Sequence, residues 1–89
     1  MAIIAIFNVK GGTAAKYNET IRRLAKMGLR KPKGQMYHVC YGDKRRLQVI
    51  DVFENQARLK AFGKRLAPLL KELGITARPK VFRVHNIIK

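Results

Sequence analysis

The middle of the chain reads Gln35-Met-Tyr-His-Val-Cys-Tyr41, then Gly42-Asp-Lys-Arg-Arg46, and then Leu47-Gln-Val-Ile-Asp-Val-Phe53. The first and third pieces are rich in β-branched and aromatic residues, which favour strands. The middle piece contains Gly and Asp, which are typical of turns. Two strands joined by a short turn pair most simply as an antiparallel hairpin. The sequence therefore predicts a β-hairpin in the middle of the chain.

A helix is predicted before the hairpin, over residues 13–27. The Thr13 hydroxyl can accept a hydrogen bond from the first helical turn, and Gly28 can end the helix in a left-handed conformation. The apolar stripe between them has helical spacing and consists of Tyr17, Ile21 and Leu24. The loop that follows, residues 30–34, combines three basic residues with a proline and a glycine.

A second helix is predicted after the hairpin, with Asn55 as its N-terminal cap and Gly74 at its end. Pro68 lacks the N–H that an interior helical position needs, so we expect a kink or a restart near residue 67. The apolar stripe of this helix is formed by Leu59, Phe62, Leu66, Leu69, Leu70 and Leu73.

The two ends of the chain are expected to complete a sheet. Residues 1–10 are apolar at odd and even positions alike, and residues 81–88 are β-branched and aromatic, with residues 75–80 as a turn before them. The resulting order, β-α-β-β-α-β, predicts a single α+β domain over residues 1–89. This is the ferredoxin-like arrangement, a four-stranded antiparallel sheet with two helices on one face.

The first strand also predicts an oligomer. A strand that is apolar on both faces is covered on both faces, and the two helices of one chain cover only one. The simplest cover for the second face is another copy of the same sheet, so a homodimer is expected. We expect Ile50 and Val52 to face the helices, and Asp51 to face the other way with Val49 and Phe53.

Composition places the chain in a broad class. It has 20 Lys+Arg against 5 Asp+Glu, a net charge of +15, and an ordinary 47% of hydrophobic residues. Cys40 is the single cysteine, so no intrachain disulfide can form, which fits a reducing, cytoplasmic setting. The longest apolar run, from Met1 to Phe7, is too short to span a membrane and has no basic stretch ahead of it. Neither a signal peptide nor a membrane anchor is expected.

Several spaced pieces resemble a known family. They are Val49-Ile-Asp-Val-Phe-Glu-Asn55, Phe62-Gly-Lys-Arg-Leu-Ala-Pro-Leu-Leu70, Glu72-Leu-Gly74 and Val84-His-Asn-Ile87, together with Tyr17 and His38. The chain is similar to the small dimeric α/β-barrel proteins related to antibiotic-biosynthesis monooxygenases, in which two sheets pack face to face and many members have no assigned activity. The resemblance implies a homodimer with a cavity and, for an enzyme, cofactor-independent oxygenation or an isomerase-like step. Phe53 stands where these proteins often have Trp.

Asp51 is the strongest candidate for chemistry because it interrupts an apolar strand. A buried carboxylate needs a partner, and the candidates are His38 on the neighbouring strand and Arg83 or His85 on the last strand. An Asp beside a His can orient the imidazole as a base, so Asp51 and His38 form the predicted catalytic pair. The alternative is an Asp held by hydrogen bonds at the dimer seam without any chemistry.

A small hydrophobic or aromatic molecule is the expected ligand, in a cavity between sheet and helices. The predicted ligand-binding residues are Tyr17, Phe53, Arg83, His85 and Asn86, and Tyr37 and Tyr41 are further aromatic candidates. Each of these residues could equally serve the core or the subunit boundary. No metal site is predicted, because the His, Cys and Asp residues lack a diagnostic spacing.

The alternative function is that of a basic nucleic-acid-binding module. The charge favours it, and the topology matches the RNA-recognition motif. That motif needs a Lys/Arg-Gly-aromatic pattern on its third strand, whereas this chain has Arg46-Leu-Gln-Val-Ile-Asp-Val-Phe53. An Asp51 carboxylate on the base-stacking face would repel phosphate. We therefore favour the small-molecule reading, with any nucleic acid bound through loops.

Overall fold

The computed structural model describes all 89 residues. The elements are β1 (Ile3–Lys10), α1 (Ala14–Lys26), β2 (Gln35–Asp43), β3 (Arg46–Phe53), α2 (Gln56–Glu72) and β4 (Thr76–Arg83). The four strands form one antiparallel sheet in the order β2-β3-β1-β4. The predicted ferredoxin-like fold is confirmed. Neither helix is long and apolar enough to cross a membrane.

The predicted helix ends are confirmed. The Thr13 hydroxyl accepts a hydrogen bond from the Lys16 N–H at 3.3 Å, and the Asn55 side chain accepts one from the Arg58 N–H at 2.9 Å. Gly28 has a φ of 73°, a left-handed conformation that other residues adopt only at a cost. Each helix therefore begins and ends where local hydrogen bonding and backbone freedom dictate.

Helix α2 continues through Pro68 as one element. Of the two outcomes expected near residue 67, a kink or a restart, the restart is therefore wrong. The missing proline N–H leaves the Lys64 carbonyl without its helical partner. Lys64 and Pro68 are both exposed, which lets water take the place of that N–H. The helix tolerates the proline because the defect lies on its solvent side.

The last strand occupies residues 76–83, not the predicted 81–88. Pro79 lies inside it, opposite Phe7 of β1. A proline cannot donate to a sheet ladder and is therefore confined to edge strands, and β4 is an edge strand. His85 and Asn86 consequently lie beyond the sheet.

The core lies between the sheet and the two helices. Odd-numbered residues of β1 face it, and Ala5, completely buried, is the partner of Asp51 across the β1–β3 ladder. The expectation that Ile50 and Val52 face the helices is therefore wrong, because Asp51 and Phe53 do. Alternation along a strand establishes which residues share a face, but not which face the helices cover. The core cluster consists of Ile3, Ala5, Leu24, Phe53, Leu59, Phe62 and Leu69.

The opposite side of the sheet, which we call the outer face, is not covered by either helix. The end of the chain reaches it, because Lys89 Nζ lies 5.6 Å from the centre of the Tyr37 ring, and Val52 is 9% exposed. One end of it is apolar and consists of Ile4, Ile6, Tyr37, Val39, Ile50, Val52 and Phe82. The other end is basic and includes Lys10, Arg46, Arg78 and Lys80. Asp51 is absent from this face, so the sequence argument that its carboxylate would repel nucleic acid there is wrong.

Candidate functional site

A cavity of about 100 Å³ lies between the sheet and the helices. Apolar side chains from both layers form most of its wall, including Phe7 and Val49 of the sheet and Leu24, Phe62 and Leu66 of the helices. Its polar groups are few and come from α1, β2, β3 and the loop after α1, namely Tyr17, Thr20, Arg30, Gln35, His38 and Asp51. An apolar wall with a small number of polar groups is the usual composition of a ligand site.

Asp51 and His38 meet on the cavity side of the sheet. They are directly paired across the β2–β3 ladder, and His38 Nδ1 lies 2.6 Å from Asp51 Oδ1. The Asp51 side chain is 5% exposed and that of His38 is 31% exposed. A buried carboxylate is an acceptor, so it selects the imidazole form that carries its proton on Nδ1. Of the partners predicted for Asp51, the structure brings His38 to it and not Arg83 or His85.

Tyr17 of α1 extends this pair into a chain of three side chains. Its hydroxyl lies 2.7 Å from His38 Nε2, and the two rings are stacked with an angle of 8° between their planes. With the proton on Nδ1, Nε2 is an acceptor, and the Tyr17 hydroxyl donates to it. The hydrogen bonds therefore run from Tyr17 through His38 to Asp51, from the cavity surface to a buried charge.

The Tyr17 phenol is held in its protonated form. Burial raises its pKa to about 12, with smaller contributions from the neighbouring Cys40 thiol and from the Asp51 carboxylate. A phenol with so high a pKa is not a stored base at neutral pH. It can, however, accept a proton from a ligand while passing its own proton to His38.

Cys40 lies on the same side of β2 as His38, but it does not line the cavity. Burial raises the pKa of its thiol, and a hydrogen bond with Tyr17 opposes this shift. A thiol with a raised pKa is a poor nucleophile at neutral pH, because the thiolate is the reactive form. The arrangement makes Cys40 a packing neighbour of the chain of three side chains.

Gln35 is a member of the site that the sequence did not reveal. Its amide donates to Asp51 Oδ1 at 3.3 Å, which gives the carboxylate a second partner. Gln35 and His38 have opposite parity along β2, so strict alternation would put them on opposite faces. The register of β2 against β3 shifts between Gln35 and Tyr37, and this bulge brings Gln35 to the cavity side.

The other predicted ligand-binding residues do not lie in this cavity. Phe53 is completely buried in the core, where its ring packs against Phe62. Arg83 lies at the far end of β4, beside a shallow depression near the start of α2. His85 and Asn86 are exposed and follow the sheet. None of these four residues lines the cavity. Phe53 is part of the core cluster, Arg83 is the last residue of β4, and His85 and Asn86 follow the strand because it ends earlier than predicted.

The aromatic candidates Tyr37 and Tyr41 are on the outer face, opposite Val52 and Gln48 of β3. They are therefore separated from the cavity by the sheet itself. The aromatic rings that do line the cavity belong to Phe7, Tyr17 and Phe62, along with the His38 imidazole. No group of three His, Cys, Asp or Glu side chains is arranged to hold a metal ion.

No family model matches the sequence, and no curated protein matches it. The fold is shared with a Deinococcus radiodurans protein, provisionally assigned as an antibiotic biosynthesis monooxygenase, at 14% identity and a TM-score of 0.64, covering 100% of this chain and 97% of that one. It is also shared with SnoaB, a cofactor-independent oxygenase from Streptomyces nogalater, at 21% identity and a TM-score of 0.59, covering 98% and 94%.

A conserved protein from Methanosarcina mazei is a further structural neighbour, at 19% identity and a TM-score of 0.58, covering 92% of this chain and 89% of that one. The similarity to the monooxygenase-related proteins noted from sequence pieces is therefore found again in the fold. At these identities the likeness establishes architecture, and function has to be argued from the residues of the site.

Proposed function

We propose that this protein binds a small aromatic molecule in the cavity and removes a proton from it, as the first step of a cofactor-independent oxygenation. The observation that carries the proposal is the chain Tyr17–His38–Asp51, which begins at an apolar cavity and ends at a buried carboxylate. The SnoaB fold supports the same class of chemistry by analogy.

The proton follows the hydrogen bonds. A ligand hydroxyl that donates to the Tyr17 oxygen gives up its proton as the Tyr17 proton passes to His38 Nε2. His38 then becomes an imidazolium, which the Asp51 carboxylate stabilises at a distance of 2.6 Å. Because Asp51 is buried, its charge acts on the imidazole with little screening by water. Asp51 is thus the positioning residue, and Tyr17 is the group that touches the ligand.

The deprotonated ligand is the species that reacts with O2. A naphthol with a free para position serves as an example of the overall reaction. The naphthol and O2 give a naphthoquinone and water, and each product receives one of the two oxygen atoms of O2. The cavity of about 100 Å³ is smaller than the roughly 150 Å³ that encloses a benzene molecule. A ligand of one or two rings must therefore extend from the cavity towards solvent.

Oxygen uptake with a naphthol, in the absence of any added cofactor, tests this function. We expect Asp51→Asn to reduce turnover by about a hundredfold or more, in line with the contribution of a general base. Asp43→Asn is the matched control, because the Asp43 carboxylate lies on the exposed hairpin and bonds only to the Arg45 N–H. Equal oxygen uptake by the wild type and Asp51→Asn, with the fold intact, would contradict the proposal.

We further propose that the active form is a homodimer formed through the apolar end of the outer face. Ile6, Val39 and Phe82 are 39%, 50% and 53% exposed there. Ile50 lies between Val39 and Ile6, and Ile4 pairs with Phe82, so the patch continues across the four strands. A contiguous apolar patch of this kind usually marks an interface. A twofold axis through the sheet would place the patch of each copy against the same patch of the other.

A second candidate is binding of single-stranded nucleic acid to the outer face. Its basic end carries no carboxylate except Asp43, and Tyr37, Tyr41 and Phe82 offer rings for base stacking. Fluorescence anisotropy with a labelled single-stranded RNA tests it, and the double variant Arg78→Gln, Lys80→Gln should weaken binding and lower the salt slope by about one per removed contact. Lys64→Gln on α2 is the control. Absence of binding at low salt would remove this candidate.

A further inference from the structure

Arg30 is the one cation among the side chains that line the cavity. It belongs to the loop after α1 and is exposed, so it lies at the cavity mouth instead of in the apolar interior. Arg30 lines the same cavity as Tyr17 and His38, so the cavity has a positive group as well as the proton-transfer chain. The cavity therefore has a positively charged mouth and a mostly apolar wall.

The loop that carries Arg30 is anchored on both sides of it. Leu29 packs against the core cluster, and its N–H donates to the Leu24 carbonyl at 2.8 Å. Pro32 is buried, and its carbonyl accepts a hydrogen bond from the Gln35 N–H at 3.1 Å. With fixed neighbours at both ends, the Arg30 backbone is held at the mouth, which reduces the ordering cost of binding there.

No carboxylate of this chain neutralises Arg30. Asp51 is engaged by His38 and Gln35, and Asp43 bonds to the Arg45 N–H. The remaining acids form ion pairs elsewhere, Glu19 with Arg22 and Arg23, Glu54 with Arg58, and Glu72 with Arg23. The guanidinium at the mouth is therefore free to pair with an anion from outside the chain.

We propose that the cavity selects a small aromatic carboxylate, whose ring lies partly in the apolar cavity and extends to its mouth, where the carboxylate pairs with Arg30. The planar guanidinium matches a carboxylate with two parallel hydrogen bonds, which a lysine cannot reproduce. The net charge of +15 raises the concentration of such anions around the molecule as a whole. This inference rests on the proposed function, because it names the substrate class of the same cavity.

The pairing also serves the proton transfer. Removing a proton from the ligand adds negative charge close to Tyr17, and a cation at the mouth stabilises that charge without having to move. Arg30 and Asp51 then have separate tasks. Arg30 stabilises the anion of the ligand, and Asp51 stabilises the imidazolium that receives the proton.

NMR titration with benzoate and with benzamide tests the selection, because the two probes share a ring and differ in charge. We expect benzoate to bind the wild type about tenfold or more tightly than benzamide, and to shift the signals of Tyr17 and His38. Arg30→Gln should abolish the preference, and Arg30→Lys should keep part of it. Lys31→Gln, an exposed neighbour that does not line the cavity, should retain the preference.

The outcomes separate this inference from the proposed function. Equal binding of benzoate and benzamide in the cavity would overturn the role of Arg30 and leave the cavity as a site for neutral aromatics. The same would follow if Arg30→Gln and Lys31→Gln lost benzoate affinity equally. If neither probe shifts Tyr17 or His38, both the inference and ligand binding in this cavity are wrong.

Discussion

Tyr17 is the residue whose ionisation reports most directly on the site. Burial raises its pKa from 10.0 to about 12. We expect ultraviolet titration of the phenolates to show one group near that value, and Tyr17→Phe to remove it. Three groups titrating together near the ordinary value of about 10 would contradict the buried position of this phenol.

The raised pKa of Tyr17 also predicts how the free energy of unfolding changes with pH. Between the unfolded pKa of about 10 and the folded pKa of about 12, the unfolded chain has lost the Tyr17 proton and the folded chain has kept it. The stability that Tyr17 contributes is therefore complete below the lower value and is lost as pH rises through the higher one. Chemical unfolding at a series of alkaline pH values should show a smaller loss of stability for Tyr17→Phe than for the wild type.

For individual residues, the sequence could predict the pairing of Asp51 with His38, because a carboxylate in an apolar strand needs a neighbour that can form a hydrogen bond with it. It could not predict which side of the sheet the pair occupies, since alternation fixes only relative orientation. The sequence could not predict that Gln35 joins this site, because the bulge at the start of β2 reverses which residues face the cavity.

Among the elements, α2 offers a direct test of helix propensity. A Cβ on Gly63 would meet no atom within 4 Å, so Gly63→Ala should stabilise the protein by about 0.5–1 kcal/mol through the helix preference of alanine. Urea unfolding measures the change. No gain in stability would show that Gly63 is needed for a reason other than space.

Gly12, in the loop between β1 and α1, is the matched contrast. A Cβ there would lie 2.8 Å from Val9 Cγ1 and 3.2 Å from the Leu47 carbonyl oxygen. We expect Gly12→Ala to destabilise the protein by about 1–3 kcal/mol because the strand and the loop must move apart. A neutral effect would mean that this loop is less tightly packed against β3 than its contacts indicate.

The order and type of all six elements could be predicted, because helix caps, apolar stripes and turn residues agree with one another along the chain. The position of β4 could not. Its sequence contains Pro79, which from the sequence alone indicates a break in the strand. A strand tolerates a proline only at the edge of a sheet, and the edge position of β4 is known only from the sheet order.

For the whole molecule, the outer face is where the proposed homodimer can be tested. We expect the wild type to scatter light as a particle of twice 10.2 kDa and Val39→Lys to be a monomer, because a buried cation in an apolar interface lacks a partner. Ala67→Lys adds the same charge on the exposed side of α2 and should remain a dimer. A monomeric wild type would contradict the proposed interface.

The net charge of +15 could be counted from the sequence, but the positions of the cations on the folded surface could not. Placing Asp51 under the helices leaves the outer face with cations at one end and apolar residues at the other. Arg30, which has no carboxylate partner, adds to this positive charge at the cavity mouth. We expect the charge there to attract anionic ligands towards the site.

The position of the ring proton on His38 is the sharpest test of the proposed proton-transfer chain. Long-range proton–nitrogen NMR distinguishes the two neutral forms of an imidazole, and it needs no ligand. A hydrogen-bonded chain from Tyr17 through His38 to Asp51 requires the proton on Nδ1 and a bare Nε2 in the neutral ring. Finding the proton on Nε2 instead would contradict the proton-transfer chain and the function proposed from it.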